Sequence, residues 1–112
     1  MNKVCFILFG LFLSSCGFVS DEYVLDLSTS TSFTLSSKDE KFPSSFRFHA
    51  KGYSSAGGVL ELLLDGVVYK SQRITEKVEF EWGGDWYHPD MEFIYRLEKK
   101  GNGTLKIKYK IS

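Results

Sequence analysis

The sequence predicts an all-β fold: a small antiparallel β-sandwich of about seven or eight short strands, with a small closed β-barrel as the alternative. Three observations support this prediction. From Asp21 onward the apolar residues recur with a period of two, no window shows the period of an amphipathic helix, and the dipeptide Asp65-Gly66 stands between two apolar runs. The order of the strands stays open at this level.

Apolar and polar side chains alternate in six segments, which is typical of half-buried strands with one solvated face. The apolar members are Tyr23, Leu25 and Leu27; Phe33 and Leu35; Phe46, Phe48 and Ala50; Val78, Phe80 and Trp82; Met91, Phe93, Tyr95 and Leu97; and Leu105, Ile107, Tyr109 and Ile111. Between the second and third segments, Lys38-Asp39-Glu40-Lys41 predicts a polar turn that Pro43 ends, and further along Gly57-Gly58 is interpreted as another turn.

The Asp65-Gly66 dipeptide predicts a two-residue hairpin turn. Such a turn fixes the pairing of the two strands, so that Leu64 faces Val67 and, further from the turn, Glu61 faces Lys70. An opposite-charge pair at facing positions stabilises a sheet by about 0.2–1 kcal/mol. Turn chemistry and charge pairing therefore agree on the same hairpin.

A second hairpin is predicted between residues 91–97 and 104–111, through Gly101-Asn102-Gly103. The last strand carries an outward row of lysines, Lys106, Lys108 and Lys110. Charged side chains on an exposed strand oppose edge-to-edge aggregation, so we interpret this row as the protection of a sheet edge. The alternative is that the row lies beside the outward carboxylates of Glu79 and Glu81.

The N-terminus has the layout of a secretory signal: the basic start Met1-Asn2-Lys3, an apolar stretch from Val4 to Leu13, and small residues before a cut. The apolar stretch is only about half of the roughly 20 residues that a membrane-spanning helix needs. Its end, Leu13-Ser14-Ser15-Cys16, resembles the lipobox of bacterial lipoproteins. The resemblance implies that Cys16 receives a diacylglyceryl group, that the chain is cut before Cys16, and that the new N-terminus is usually acylated as well.

The resemblance divides the chain into a signal peptide (1–15), a lipidated cysteine with a short tether (16–20) and a β-sandwich domain (21–112). It implies a protein held on a bacterial membrane outside the cytoplasm. Gly17 after the cysteine resembles an outer-membrane address, whereas Ser20-Asp21-Glu22 resembles the acidic surface-export signals of some lipoproteins. An ordinary signal peptide cut near Ser20 is the rival interpretation.

Composition excludes several classes of function. Loss of the signal removes Lys3 and leaves 13 basic against 14 acidic residues, which is not the clustered basic excess of a nucleic-acid-binding domain. Cys5 lies in the signal and Cys16 would be a thioether, so the mature domain has neither a free thiol nor a disulfide. Ten Phe, six Tyr and two Trp supply large rings for a small core. No pattern indicates a cofactor.

The segment from Trp82 to Asp90 is the candidate site. Gly83-Gly84 is predicted to break a strand and to permit positive φ, and Asp85 to shape the turn that follows. In an extended segment Trp86 and Tyr87 point to opposite sides, so one ring is expected inward and the other exposed. One interpretation is a strand corner packed by a buried Trp. The other is a ligand platform.

The ligand platform would use a ring for stacking and polar side chains for hydrogen bonds. Its residues are Trp82, Asp85, Trp86, Tyr87, His88 and Asp90. A carbohydrate suits this chemistry because a sugar has an apolar face and a rim of hydroxyl groups. This hypothesis expects Trp86→Ala or Tyr87→Ala to weaken ligand capture and to leave the fold intact.

A metal site formed by Asp85, His88, Asp90 and Glu92 would suit a hard or borderline ion, but no known ligand spacing is present. Catalysis has still less support. The only other histidine is His49, whose position predicts a solvated strand residue, and neither a nucleophile elbow nor a phosphate-binding loop is present. We therefore predict no metal and no enzyme.

The last third of the chain resembles a pattern in small bacterial lipoproteins without an assigned activity. It consists of Trp82-Gly83-Gly84-Asp85-Trp86-Tyr87, then Ile94-Tyr95, then the strand Gly103-Thr104-Leu105-Lys106-Ile107-Lys108-Tyr109. In those proteins a Gly-Asp-Trp-Tyr turn precedes a final Gly-x-Leu-x-Ile-x-Tyr strand. The resemblance implies a β-sandwich on a lipid tether and supplies no catalytic residue.

The leading hypothesis is a non-enzymatic, lipid-anchored envelope protein that binds a carbohydrate or another envelope ligand. The second is a structural or protein-partner role in envelope assembly or as an immunity-type inhibitor, with a partner surface around Leu63 and Val68. The third is a small hydrolase, which requires a pocket with converging Asp, His and Ser or a metal. Nucleic acid is not expected as a partner.

Overall fold

The fold is taken from a computed structural model that describes residues 20–37 and 42–112. Within these ranges the secondary structure is all β and consists of six strands: β1 (Asp21–Asp26), β2 (Thr31–Ser36), β3 (Ser45–Leu64), β4 (Val67–Asp85), β5 (Asp90–Lys99) and β6 (Gly103–Ile111). In the same ranges no helix is long and apolar enough to cross a membrane. The predicted signal, the lipid site Cys16 and the turn Lys38–Lys41 lie outside the described residues.

The longest strands, β3 and β4, form one antiparallel hairpin from which the whole fold is built. The first part of β3, from Phe46 to Ser54, pairs with β6, and the second part, from Gly57 to Leu63, pairs with β5. β1 adds to β6, and β2 adds to β5, again antiparallel. We call the group β1, β6, first part of β3 and last part of β4 "layer one". We call the group β2, β5, second part of β3 and first part of β4 "layer two".

The two layers face each other, which confirms the predicted antiparallel sandwich. Rings from opposite layers stack across the interior, Tyr23 with Phe33 at 4.7 Å and Phe48 with Phe93 at 5.3 Å between centroids. The number of strands is lower than predicted because β3 and β4 each run through both layers. Between the described strands the sheet remains open, since its path ends at β1 on one side and β2 on the other.

The core contains the inward members of the six alternating segments, as the period of two predicted. Leu25, Phe48, Phe93 and Ile107 are among the fully buried side chains. Tyr95 is buried too, and its hydroxyl donates a hydrogen bond to the carbonyl oxygen of Leu27 at 2.9 Å. Burial raises the pKa of the Tyr95 hydroxyl above its ordinary value, because the charged phenolate would lose its hydration.

The Asp65-Gly66 turn is confirmed. Both residues have positive φ, 53° and 81°, which is the backbone of a type I′ hairpin turn. Next to the turn, Leu64 pairs with Val67 as predicted.

The predicted pairing of Glu61 with Lys70 is wrong, because the register shifts after the second pair of the hairpin. Leu62 stands opposite Lys70, so Tyr69 is an extra residue on β4, as in a β-bulge. Glu61 instead forms an ion pair with Arg96 on β5, at 2.8 Å. With the bulge in place, the carboxylate of Glu61 has its ion-pair partner on β5 and not on β4.

The predicted second hairpin is also wrong. β5 and β6 do not pair with each other: they belong to different layers, and both pair with β3. The connection between them crosses from layer two to layer one and docks on the corner of β3. There the carbonyl oxygen of Asn102 accepts a hydrogen bond from the Ser55 backbone amide at 2.8 Å, and the Ser55 hydroxyl accepts one from the Asn102 amide at 3.0 Å.

The glycines of the supposed turn at Gly57-Gly58 lie inside β3, at the corner where the strand passes from one layer to the other. A Cβ at Gly58 would lie 2.5 Å from the carbonyl oxygen of Arg96, so the corner needs glycine for close approach rather than for a turn.

The lysine row of β6 does not protect an edge, because β6 lies between β1 and β3. Nor does it lie directly beside Glu79 and Glu81, because β3 separates β6 from β4.

Candidate functional site

Residues 86–89 connect β4 of layer one to β5 of layer two and close one end of the sandwich. The backbone amide of Trp86 donates a hydrogen bond to the carbonyl oxygen of Ser44. The backbone amide of Ser37 donates one to the carbonyl oxygen of Pro89. The strand ends after Asp85 and not at Gly83-Gly84, which corrects the predicted break. The predicted positive φ is present at Gly84, with a value of 145°.

Trp86 and Tyr87 divide as predicted, one ring inward and one exposed. Trp86 keeps only 3% of its surface and packs edge-on against Phe46, with 5.5 Å between ring centroids. Its indole N–H donates a hydrogen bond to the carbonyl oxygen of Asp90 at 3.1 Å. Tyr87 exposes 68% of its surface. Trp86 thus fills the end of the core, and Tyr87 is the ring that a ligand can reach.

The burial of Trp86 affects how the Trp86→Ala and Tyr87→Ala variants can be interpreted. Truncation of Trp86 would remove a packed ring from the core, a change that typically costs about 3–5 kcal/mol. We therefore expect Trp86→Ala to destabilise the fold and Tyr87→Ala to leave it intact, so that only the second variant reports on ligand capture by itself.

Trp82 packs against the core and also lines a separate hollow of about 690 Å³ with His49, Glu81 and Lys108. It is half-buried on the inward side of β4, stacked on Phe48 at 5.1 Å and tilted against Phe80 at 5.0 Å. Asp85 is exposed at the last position of β4. Of the six predicted site residues, only Trp86, His88 and Asp90 line one hollow, whereas Trp82, Asp85 and Tyr87 do not.

A hollow of about 220 Å³ lies between the β3–β4 turn and the β4–β5 connection. Its lining combines side chains from both segments: Leu63, Leu64, Asp65, Trp86, His88, Pro89, Asp90 and Glu92. Ligand pockets usually measure about 300–1,000 Å³, so this hollow can take only part of a larger molecule. Its three carboxylates offer hydrogen-bond acceptors and disfavour an anionic ligand.

Sequence reasoning treated the loop and the surface around Leu63 and Val68 as separate candidate surfaces. The structure joins them, because Leu63 lines the same hollow as Trp86 and His88. Exposed Val67, Val68 and Tyr69 follow the turn at this end. We call residues 63–69 together with 86–92 the "turn end" of the molecule.

Tyr69 is the residue of the turn end that sequence reasoning missed. Its ring lies 6.1 Å from that of Trp86 and it remains exposed. A regular two-residue turn at Asp65-Gly66 places Tyr69 opposite Leu62, whereas the bulge leaves Tyr69 without a partner in the strand pairing. A regular two-residue turn gives no signal for such a bulge.

Neither the metal interpretation nor the hydrolase interpretation gains support. Across residues 20–37 and 42–112, no group of three or more His, Cys, Asp or Glu side chains is arranged to hold a metal ion. The hydroxyl of Ser36 donates directly to a carboxylate oxygen of Asp90 at 2.7 Å, with no imidazole between them to act as a base.

His49 has a structural partner on the outer face of layer one. Its Nε2 lies 2.8 Å from a carboxylate oxygen of Glu79 on the neighbouring strand, as the outward position of His49 predicted. This hydrogen bond, with the nearby charge of Lys51, lowers the pKa of Glu79. The pair lies on the outer sheet surface, where this hydrogen bond joins β3 to β4.

No protein-family model matches the chain, and no curated protein matches it. Among solved structures, it is similar to a de novo designed double-stranded β-helix, with 5% identity and a TM-score of 0.44 over 83% of this chain and 100% of that one. It is also similar to the carbohydrate-binding module CBM36 in complex with calcium and xylotriose, with 18% identity and a TM-score of 0.41 over 87% and 91% of the two chains. A third is the CBM36-1 domain of a multidomain xylanase from the hindgut metagenome of Trinervitermes trinervoides, with 11% identity and a TM-score of 0.39 over 78% and 96%.

Proposed function

We propose that this protein is a non-enzymatic binding module of the bacterial cell envelope, anchored by lipid on Cys16, that takes a neutral glycan at the turn end. The observation that supports the binding role is that the adjacent residues Trp86 and Tyr87 point in opposite directions, one into the core and one into solvent. The buried ring fixes the backbone of the connection, and the exposed ring is presented to solvent at a defined position.

A neutral sugar fits the chemistry of this surface. An exposed aromatic ring can stack on the apolar face of a pyranose, and carboxylates accept hydrogen bonds from sugar hydroxyls. Asp65, Asp90 and Glu92 supply those carboxylates around a hollow that is open to solvent. The hollow would hold one sugar unit, and the exposed rings of Tyr69 and Tyr87, which lie outside its lining, would stack on further units.

We expect Tyr87→Ala to weaken glycan binding by roughly two- to tenfold, because a stacking contact contributes about 0.5–1.5 kcal/mol. Tyr87→Phe is the matched control, since it keeps the ring and should keep most of the affinity. Calorimetric titration with neutral oligosaccharides selected on a glycan array measures the effect, and circular dichroism checks that both variants are folded. Equal affinity of Tyr87→Ala and the unchanged protein would contradict a glycan site at this ring.

A second candidate is a protein partner at the same end, favoured by the exposure of Val67 and Val68 next to the hollow. Exposed apolar side chains grouped at one end of a small domain are typical of a protein contact. A pull-down from envelope extract separates the two. A stoichiometric protein that is lost with Val68→Lys favours the partner, and glycan-dependent tryptophan fluorescence favours the sugar.

The lipid anchor rests on the lipobox resemblance, and we expect the mature protein to begin at Cys16 with its sulfur in a thioether to a diacylglyceryl group. Each buried methylene adds about 0.8 kcal/mol of membrane affinity, so two or three acyl chains hold a protein almost irreversibly. Intact-mass spectrometry of the protein from membranes measures this, with Cys16→Ser as the control that stays unlipidated. An unmodified N-terminus near Ser20 would overturn the anchor.

A further inference from the structure

The hollow on the outer face of layer one is larger than the one at the turn end. It measures about 690 Å³, which lies within the usual range of about 300–1,000 Å³ for ligand pockets. The polar side chains of its lining are Ser20, Arg47, His49, Glu81 and Lys108. The two hollows share no lining residue, so a ligand in one leaves the other open.

Four polar residues of this face form one row across the strands, and each faces the next in the strand pairing. They are Glu22 on β1, Lys108 on β6, His49 on β3 and Glu81 on β4. Neighbouring strands of a sheet lie about 4.8 Å apart, so the strands of Lys108 and Glu81, with β3 between them, are separated by about 10 Å. The hollow therefore has an ammonium group on one side and a carboxylate on the other.

On the ammonium side, Lys108 is the group that can take a further anion. Its ammonium lies 3.9 Å from the Glu22 carboxylate, and both side chains are 52% exposed. Because an ammonium has three N–H donors, this loose ion pair leaves Lys108 able to bind a second carboxylate. Arg47 has an interaction partner of its own, and His49 is hydrogen-bonded to Glu79, so neither is needed for the anion.

On the other side, the Glu81 carboxylate can accept hydrogen bonds from a ligand. His49 faces Glu81 in the pairing, but its imidazole is bonded to Glu79, two residues earlier on β4, at 2.8 Å. Across residues 20–37 and 42–112, the structure shows no hydrogen bond or ion pair of the Glu81 carboxylate itself. Among the described strands β4 pairs only with β3, so no strand beyond it brings a cation to Glu81.

We propose that this hollow binds a zwitterionic ligand, the class to which short peptides with free ends belong. The ammonium of the ligand lies at Glu81 and its carboxylate at Lys108. A ligand of one sign would be attracted at one side of the hollow and repelled at the other, whereas a zwitterion is attracted at both. An extended chain of three residues spans about 10 Å, which matches the separation of the two strands. The site is independent of the glycan site at the turn end.

The test compares three peptides of equal length by calorimetric titration of the full-length protein in a non-ionic detergent. Triglycine carries both charges, N-acetyl-triglycine only the carboxylate, and triglycine amide only the ammonium. We expect triglycine to bind about three- to fivefold more tightly than either blocked peptide, which is the size of effect that a solvent-exposed ion pair produces. Salt should reduce the difference, because it screens exposed charges.

Two variants assign the ends of the ligand. Glu81→Gln should bind triglycine no more tightly than N-acetyl-triglycine, and Lys108→Gln should bind it no more tightly than triglycine amide. Glu98→Gln and Lys99→Gln remove the same charges from the end of β5 in layer two, and these matched controls should keep both preferences. All four side chains are exposed, so the variants should fold, which circular dichroism checks.

Three results would overturn the proposal: no binding of triglycine, equal binding of triglycine and a blocked peptide, or an equal loss in Glu81→Gln and Glu98→Gln. Displacement of triglycine by a lower concentration of the neutral sugar cellotriose would also overturn it and would assign the hollow to glycans. Failure of the glycan site at the turn end is recognised separately, because Tyr87→Ala should leave the affinity for triglycine unchanged.

Discussion

Replacing Phe93 by alanine is expected to lower the free energy of unfolding by about 3–5 kcal/mol. Phe93 is buried on β5 and joins the two layers, stacked on Phe33 at 5.0 Å and on Phe48 at 5.3 Å. Its removal would interrupt a line of rings that runs from Tyr23 through the interior to Trp82. The rings beside the cavity are held by paired strands and cannot close it.

A loss of this size matters because small domains have only about 5–15 kcal/mol of stability in total. Residues 21–112 contain no cysteine and so have no disulfide to compensate, and Phe93→Ala should therefore remove a large fraction of the stability of the domain. Urea denaturation followed by tryptophan fluorescence measures the change. Phe93→Leu should have a stability between those of Phe93→Ala and the unchanged protein. Val24→Ala, on the exposed outer face, should change the stability by less than about 0.5 kcal/mol.

A loss below about 1.5 kcal/mol for Phe93→Ala would contradict the picture of two layers joined by stacked rings. It would mean that the layers can approach each other to fill the space, which a sandwich built on one continuous hairpin should resist.

The second large effect is expected at Gly52, on β3 between two paired strands. A Cβ added there would lie 2.2 Å from the carbonyl oxygen of Thr104 and 3.0 Å from the Cα of Leu105. Both atoms belong to the backbone of β6, which is itself fixed between β1 and β3. Relief therefore requires the sheet to separate at this point, and we expect Gly52→Ala to cost about 3 kcal/mol, the upper part of the range for overpacking.

Gly83→Ala is the matched control on β4. The nearest atom to its added Cβ is the carbonyl oxygen of Phe46 at 3.3 Å, and β4 is paired on one side only, so it can shift. We expect a cost below about 1 kcal/mol, partly offset because alanine restricts the unfolded chain. Thermal and urea denaturation of both variants test the difference. Equal stability of the two would refute the close contact between β3 and β6.

Much of the fold was predictable because the information is local. A period of two follows from backbone geometry alone, and it correctly placed Leu25, Phe48, Phe93 and Ile107 in the core. The Asp65-Gly66 turn was equally predictable, since its positive φ values suit few other residues. The division of Trp86 and Tyr87 into a buried and an exposed ring followed from the same alternation.

The candidate site was predictable only in part. Trp86, His88 and Asp90 do line one hollow, but Trp82 turned out to pack in the core and Asp85 to lie away from the hollow. Leu63 and Asp65 line the same hollow, although they precede the loop by about twenty residues in the sequence. Which distant segments meet at one end of a sandwich depends on how the strands fold over one another.

By itself the sequence determined which side chains of each strand face inward and where the first hairpin turns, and residues 21–112 contain no cysteine that could form a disulfide. Only the tertiary structure decided which strands pair. β5 and β6 carry the same alternating pattern as any hairpin, yet each pairs with a different part of β3. The physical reason is that side-chain alternation is a property of one strand. The choice of partner depends on contacts between distant residues, and here on the corner at Ser54–Gly58 where β3 leaves one layer for the other.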